Sequence, residues 1–375
     1  KLILIYNRWT NTFMNIEKTT GEKSEEIDES LINTIAAEYN LPDLHFVSMP
    51  KEGINSHNMI LQKPGGNTYF LKQYREHDAE RREDIHRIEN YIFEHSTVPV
   101  VRPLPNISGE PHTYVKGKMF ALFAYIESAE VHNETEEQRL TKVESLAETL
   151  GKTHAIPVTE EIKDLDTIDR WDSSDCEKRL RTLEEIEGII RAKDELDDYD
   201  TRSLTIIELK KSLLSEAASS DKQTVNLGLC HGDYHRHNVL FDEHQQVIGV
   251  CDWDNAGLSD TYIDFLDAFR TSVIRSSYDT YRSEQRETAR AFIKGYINGK
   301  GGTFDGSRLK DAMEVYSRHI VGTAWPMNVH YFNDFTKSDS ALDSMHEKAT
   351  FYAEYQEEVV DFIMEIYSEM AESTE

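Results

Sequence analysis

The stretch that most constrains this chain is Cys230-His231-Gly232-Asp233-Tyr234-His235-Arg236-His237-Asn238, continued by Val239-Leu240-Phe241 and by Val247-Ile248-Gly249-Val250-Cys251-Asp252-Trp253-Asp254. An apolar run from Val225 to Leu229 leads into a polar loop that holds an Asp and an Asn five positions apart. A short β-branched and aromatic run follows, then a turn from Asp242 to Gln246, then a second apolar run ending on another Asp. Strands arranged in this way set their polar ends on one rim. Asp233, Asn238 and Asp252 are therefore expected to converge.

Two carboxylates and an amide from neighbouring loops suit magnesium (Mg²⁺), a hard ion that takes oxygen ligands and shares them with phosphates. The catalytic loop of kinases follows the same order: an Asp for the hydroxyl, an Asn for metal, and a later Asp for metal. Asp252 stands fourteen residues after Asn238. Zinc on His231, His235, His237 and Cys230 is the competing reading, but His-x3-His-x-His lacks the paired spacing of structural zinc sites. His235 and His237 are assigned no catalytic role.

The lettering His-Gly-Asp-Tyr-His-Arg-His-Asn, with Asp-Trp-Asp after it, resembles the aminoglycoside phosphotransferase and choline kinase family more than protein kinases, whose strings read H-R-D and D-F-G. The resemblance covers about residues 45–270. It implies an α+β, bilobal protein-kinase-like fold with a small N-terminal antiparallel sheet plus one helix and a larger, mainly helical C-terminal lobe. The implied boundaries are a lead-in over 1–30, an N-lobe over 31–126 and a C-lobe over 127–375. It also implies ATP and Mg²⁺ as cofactors, with Asp233 as the catalytic base and Asn238 and Asp252 as the metal-holding residues. A kinase-like protein that binds without turnover, and a protein Ser/Thr kinase, are the alternative readings. Loss of one of the three key residues would mark the former, and none is lost. The absence of Asp-Phe-Gly and Ala-Pro-Glu strings counts against the latter.

Upstream, His45 to Met49, Met59 to Leu61 and Thr68 to Lys72 read as three antiparallel strands, with Pro64-Gly65-Gly66-Asn67 as a turn. The loop from Gly53 to Asn58, with Ser56 in it, sits where a kinase keeps its phosphate-covering hairpin. Lys72 ends a strand where the family keeps the lysine that grips the ATP phosphates. A charged helix is expected from about His77 to His95, its buried face marked by Ile85, Ile88, Tyr91 and Ile92. Glu89 is the expected carboxylate partner of Lys72, with Glu83 as the second candidate. Val98-Pro99-Val100-Val101-Arg102-Pro103-Leu104 resembles the family's segment between helix and hinge strand. The run Met119 to Ile126 reads as a strand buried on both faces. By resemblance it enters the hinge whose backbone grips adenine, with Phe123 and Tyr125 in place for that contact.

Past Glu127 the pattern is helical. Leu140, Val143, Leu146, Ala147, Leu150 and His154 share one face, and His154 is expected to be a packed core histidine. Residues 158–200 are acidic, read either as the acceptor side of the cleft or as a solvated loop, before a helix from about Ser203 to Ser219. Asp264 matches a family Asp that opens a helix and steadies the catalytic loop. Trp325-Pro326-Met327 and His330-Tyr331-Phe332 are candidates for an acceptor pocket. Residues 1–13 are either a strand or sequence ahead of a start at Met14.

Composition sets the remaining limits. With 375 residues, the chain is long enough for a bilobal unit. No run of about 18 apolar residues is present, so no membrane partner is expected. A net charge of −28 argues against a nucleic-acid partner and is compatible with a cationic small-molecule hydroxyl acceptor; solubility alone also explains it. Cys176, Cys230 and Cys251 give no disulfide framework, which suits a cytoplasmic protein.

Overall fold

The computed structural model describes residues 29–49, 57–74, 79–129, 133–165, 168, 171, 175–217, 227–274, 280–302, 304–332 and 337–372. Ser56 and the loop it belongs to, most of the expected lead-in, and residues 1–13 lie outside them.

The chain opens with α1 (Glu29–Glu38) and the strands β1 (His45–Ser48), β2 (His57–Gln62) and β3 (Thr68–Gln73). Helix α2 (Ala79–His95) follows, then β4 (Thr113–Val115) and β5 (Lys118–Ala124). These five strands make one antiparallel sheet in the order β1-β2-β3-β5-β4. Lys116 and Gly117, both with positive φ, turn β4 into β5, as a tight hairpin requires. One sheet face packs on α1 through Ile35, Leu61, Leu71, Phe120 and Leu122.

The rest is mainly helical. It comprises α3 (Glu136–His154), α4 (Asp175–Arg191) and α5 (Asp198–Ala217), then the short strands β6 (Leu227–Cys230), β7 (Val239–Phe241), β8 (Val247–Val250) and β9 (Gly257–Asp260). After them come α6 (Thr261–Phe269), α7 (Tyr281–Glu284), α8 (Arg286–Lys300), α9 (Gly306–Gly322), α10 (Trp325–Tyr331), α11 (Asp339–Glu354) and α12 (Gln356–Glu372). Strand β6 pairs with β9 and β7 with β8, both antiparallel. No helix among the described residues is long and apolar enough to cross a membrane.

Two tethers join sheet to helices. Val101 N–H donates to Val250 O and Val250 N–H to Pro99 O, both at 2.8 Å, so the strand after α2 runs beside β8. Below β5, Ala129 N–H donates to Phe241 O at 2.7 Å, which docks the linker on β7.

The acidic stretch 158–200 differs from its reading as one loop. Leu183, Ile186 and Ile190 are fully buried along α4, and Trp171 is buried in the main core. The start of α5 also lies five residues earlier than expected. Asp197 and Asp200 cap each other's backbone N–H there, so part of the acid run is a helix start, where carboxylates are favoured.

Helices α3 and α8 touch backbone to backbone. A Cβ on Gly295 would lie 2.1 Å from Glu144 O, and one on Gly299 2.0 Å from Glu148 O. This contact brings His154, at the end of α3, against Tyr296, whose hydroxyl lies 2.9 Å from His154 Nδ1.

Lys210 on α5 is fully buried and donates to Val321 O at 2.6 Å and Thr323 O at 2.9 Å, closing the C-terminus of α9. Burial, then the charges of Arg179 and Lys348, push its pKa from 10.5 down to about 7. Below that value both folded and unfolded states hold the proton, and the cost of burying charge is felt in full. Between there and the ordinary lysine value only the unfolded chain keeps it, so this residue makes stability rise with pH. The melting temperature of wild type relative to Lys210→Met should therefore climb from about pH 7 to about pH 9. Parallel curves for the two proteins would refute the assignment.

Candidate active site

Strand β6 delivers the chain into a turn built around Gly232. Its φ is +82°, and a Cβ there would lie 2.2 Å from Asn255 O, so only glycine fits both backbone and space. The turn hangs on Asp264, a fully buried carboxylate on α6. Asp264 Oδ2 accepts from His231 N–H at 2.9 Å and Oδ1 from Gly232 N–H at 3.1 Å. His154 Nε2 donates to the same carboxylate at 3.0 Å. Burial pushes the pKa of His154 down, consistent with a neutral ring taking the Tyr296 hydroxyl on Nδ1. The Asp264 position read from sequence thus has a concrete structural task.

The loop and the strand end after it are stitched together. His231 Nδ1 accepts from Asp233 N–H at 3.3 Å, and Nε2 donates to Cys251 O at 3.1 Å. Cys251 N–H donates to Asn238 O at 2.9 Å. Asn238 Nδ2 donates to Asp233 O at 2.9 Å, which fixes the amide group against the loop. The side chains of Asp233 and Asp252 stay open to solvent, 37% and 49% exposed. Asp252 itself has φ 61° and ψ 55°, a left-handed conformation uncommon for a residue other than glycine and concentrated at functional sites.

The histidines of this loop do not gather as the zinc reading required. His231 is buried against Trp253 and Tyr234, while His235 Nε2 lies 3.7 Å from Asp233 Oδ2. One metal-compatible group does occur among the described residues: His154, Cys230 and Asp264, all buried. Its His and Asp are already joined to each other and to the loop backbone, so it acts as a hydrogen-bonded anchor.

Lys72 projects from β3, is 9% exposed, and faces this loop. Its ammonium lies 2.8 and 2.9 Å from the two oxygens of Asp254 and 3.2 Å from Asp252 Oδ1. Arg82 on α2 forms an ion pair with the same Asp254. Burial pulls the Lys72 pKa down, but Asp254 and then Asp252 outweigh it, and the net shift is upward. Burial likewise raises Asp254, and Lys72 and Arg82 bring it below the usual carboxylate value. Both partners are therefore charged.

The expected pairing of Lys72 with Glu89 is not formed here. Glu89 is buried and accepts from His86 Nδ1 at 2.9 Å, one helical turn away. Burial, partly offset by that bond, raises its pKa. The other candidate, Glu83, lines a separate cavity of about 560 Å³ with His86, Arg87 and His112. The reason is local: Arg82 on α2 draws Asp254 toward Lys72, and His86 takes the carboxylate nearest to it. Asp254 went unread because only its replacement of the protein-kinase Gly was noted. The signal available was a buried strand-end lysine, which needs a carboxylate.

Just past β5, where the hinge is expected, Tyr125 N–H donates to Thr68 O at 3.1 Å and its ring is half exposed. Phe123 is buried, its ring 6.3 Å from that of Phe70, so any nucleotide contact from it would be a backbone one.

A cavity of about 310 Å³ opens beside Asp233. Asp267 and Arg270 from the α6 end, His319 and Thr323 from the α9 end, Trp325 and Lys348 stand in its wall. Trp325 and Pro326 of the expected pocket segment line this cavity. Met327 is buried in the core instead, Phe332 is exposed, and Tyr331 donates to Asp200 at 2.8 Å. Asp267, Arg270, His319 and Lys348 had no sequence signal, since they come from three segments far apart in the chain.

A family model described as the phosphotransferase enzyme family matches residues 49–310, well over half of the chain. The chain belongs to this family. It is a phosphotransferase of the small-molecule kinase type. Among solved structures it is similar to an aminoglycoside phosphotransferase from Alicyclobacillus acidocaldarius (TM-score 0.59, 15% identity, 93% of this chain and 99% of that one). It is also similar to a spectinomycin phosphotransferase solved with ADP and spectinomycin (0.60, 15%, 90% and 98%). An ethanolamine kinase from Plasmodium vivax gives 0.57 at 14% identity, over 83% and 82% of the two chains. At such identities these likenesses establish the fold, which is the bilobal kinase-like one expected. No curated protein matches the chain.

Proposed function

We propose that this phosphotransferase uses ATP to phosphorylate a hydroxyl group of a small molecule. One observation carries the reading most: Asp233 stands in the wall of the 310 Å³ cavity while its loop is stitched, through His231 and Cys251, to the segment whose Asp252 bonds Lys72 of β3. Phosphoryl transfer asks for positioning and charge neutralisation, and the groups for both stand on these joined segments.

Each residue has a task in this reading. Asp233 accepts the proton of the acceptor hydroxyl as it attacks. Lys72 grips the α/β-phosphates, leaving the Asp252–Asp254 side to which it is bonded here. Tyr125 and the backbone at Phe123 flank adenine, and Ser56 belongs to the segment over the phosphates. The donor set suits Mg²⁺: a solvent-open Asp252 carboxylate and the oxygen of an Asn238 amide whose Nδ2 is tied to the loop, both hard oxygens. When bound, the ion would neutralise charge on the β/γ-phosphates. Asp254 holds Arg82, and holds Lys72 until the phosphates take it, rather than taking part directly, and Glu89 supports α2 from inside. Three unpaired cysteines agree with a cytoplasmic enzyme.

Asp252→Ala should raise the dissociation constant for ATP measured with Mg²⁺ by at least tenfold, with little change when Mg²⁺ is left out. Calorimetry on both proteins tests this. Equal affinities with the ion present would show that Asp252 does not hold it.

A further inference from the structure

The charges inside the acceptor cavity tell a different story from the net charge of the chain. Its charged wall residues are Asp233, Asp267, Arg270 and Lys348. Asp233 is committed to the acceptor hydroxyl. Asp267 is matched within the wall: its Oδ1 accepts from Arg270 Nη2 at 2.9 Å and from the Tyr316 hydroxyl at 2.8 Å. Arg270 Nε donates to the Tyr316 oxygen at 2.6 Å, so the guanidinium is fixed in place. Lys348, on α11, faces the same space from the other side of the α9 end.

Behind that wall stand further basic side chains. Arg179 donates to His319 O at 3.0 Å, and Lys210, its charged form disfavoured by burial, donates to Val321 O and Thr323 O. Arg270 and Lys348 thus face the cavity with Arg179 behind them, set against Asp233 and an Asp267 already bonded to Arg270, in a chain carrying −28. Lysine and arginine are the side chains that bind carboxylate and phosphate through charge-assisted hydrogen bonds.

We propose that the acceptor carries an anionic group, a carboxylate or a phosphate, which docks on Lys348 and Arg270 while its hydroxyl meets Asp233. The proposal rests on the phosphotransfer reading above. The cavity volume lies at the lower end of the range for ligand pockets, which suits a compact acceptor.

The test uses the whole enzyme with Mg-ATP and a matched set of three-carbon acceptors: glycerol, 3-amino-1,2-propanediol, glycerate and glycerol 3-phosphate, extended to four- and five-carbon analogues. Anionic members should show kcat/KM at least tenfold above neutral and cationic ones, and glycerate against glycerol 3-phosphate separates carboxylate from phosphate. Lys348→Gln should raise KM for the preferred anion roughly tenfold to a hundredfold, far more than it lowers kcat, and Lys348→Arg should recover most of it. Turnover confined to neutral or cationic members, or none across the set, overturns the proposal. The phosphotransfer reading is judged apart from it, by Mg-ATP binding in wild type and Asp252→Ala.

Discussion

Asp233→Asn is expected to lower turnover by about 10²–10⁴-fold, the usual contribution of a positioned general base, while ATP affinity stays near that of wild type. The substitution is narrow in its effects. The hydrogen bonds that tie Asp233 into the loop run through its backbone: N–H to His231 Nδ1 and O from Asn238 Nδ2. Both survive the change, so the loop keeps its shape and loses one charge and one proton acceptor. Rapid-quench measurement of phosphoryl transfer, with nucleotide titration alongside, reads the two effects apart. Turnover within about tenfold of wild type would remove Asp233 from the base role. Loss of ATP affinity with it would place the side chain among the nucleotide ligands instead.

How far the sequence reached follows a physical line. The run from β6 to β8 was legible because strand period, turn residues and polar loop positions are all local signals, and they fixed the relative places of Asp233, Asn238 and Asp252. The strand ending at Lys72 and the helix α2 were legible for the same reason. What Lys72 touches was not. Its partner Asp254 is 182 residues away, and the choice between Asp254 and Glu89 is decided by Arg82 and His86, two other residues of α2. Helix α4 was hidden by its charge: Leu183, Ile186 and Ile190 keep helical spacing within a strongly acidic segment. The cavity beside Asp233 was least legible, since the Asp233 loop, α6 and the residues just after it, the α9 end, α10 and α11 all contribute to its wall. Bulk charge pointed toward a cationic acceptor, yet it averages over outer helix faces such as that of α12, and a cavity wall need not share their sign.

Asp264→Asn should lose both stability and turnover, in contrast to Asp233→Asn. Asp264 is fully buried, and its two oxygens take three donors: His231 N–H, Gly232 N–H and His154 Nε2–H. An Asn offers one acceptor oxygen and turns an NH₂ group toward at least one of those donors. The site is fully buried, so contact with bulk solvent does not repair the mismatch. An unsatisfied buried donor costs about 1–3 kcal/mol, and the charge-assisted bonds lost are the stronger kind, so unfolding stability should fall by about 3 kcal/mol. The His231–Gly232 turn is then released from α6 and keeps only the bonds of the His231 ring to Cys251 O and Asp233 N–H. A shift of about 1 Å in a reacting group costs on the order of 10²-fold, so turnover should drop by about that factor although Asp264 touches no reactant. Asp264→Asn melting like wild type with full turnover would mean the three bonds do not position the loop. Reduced melting with full turnover would confine Asp264 to folding.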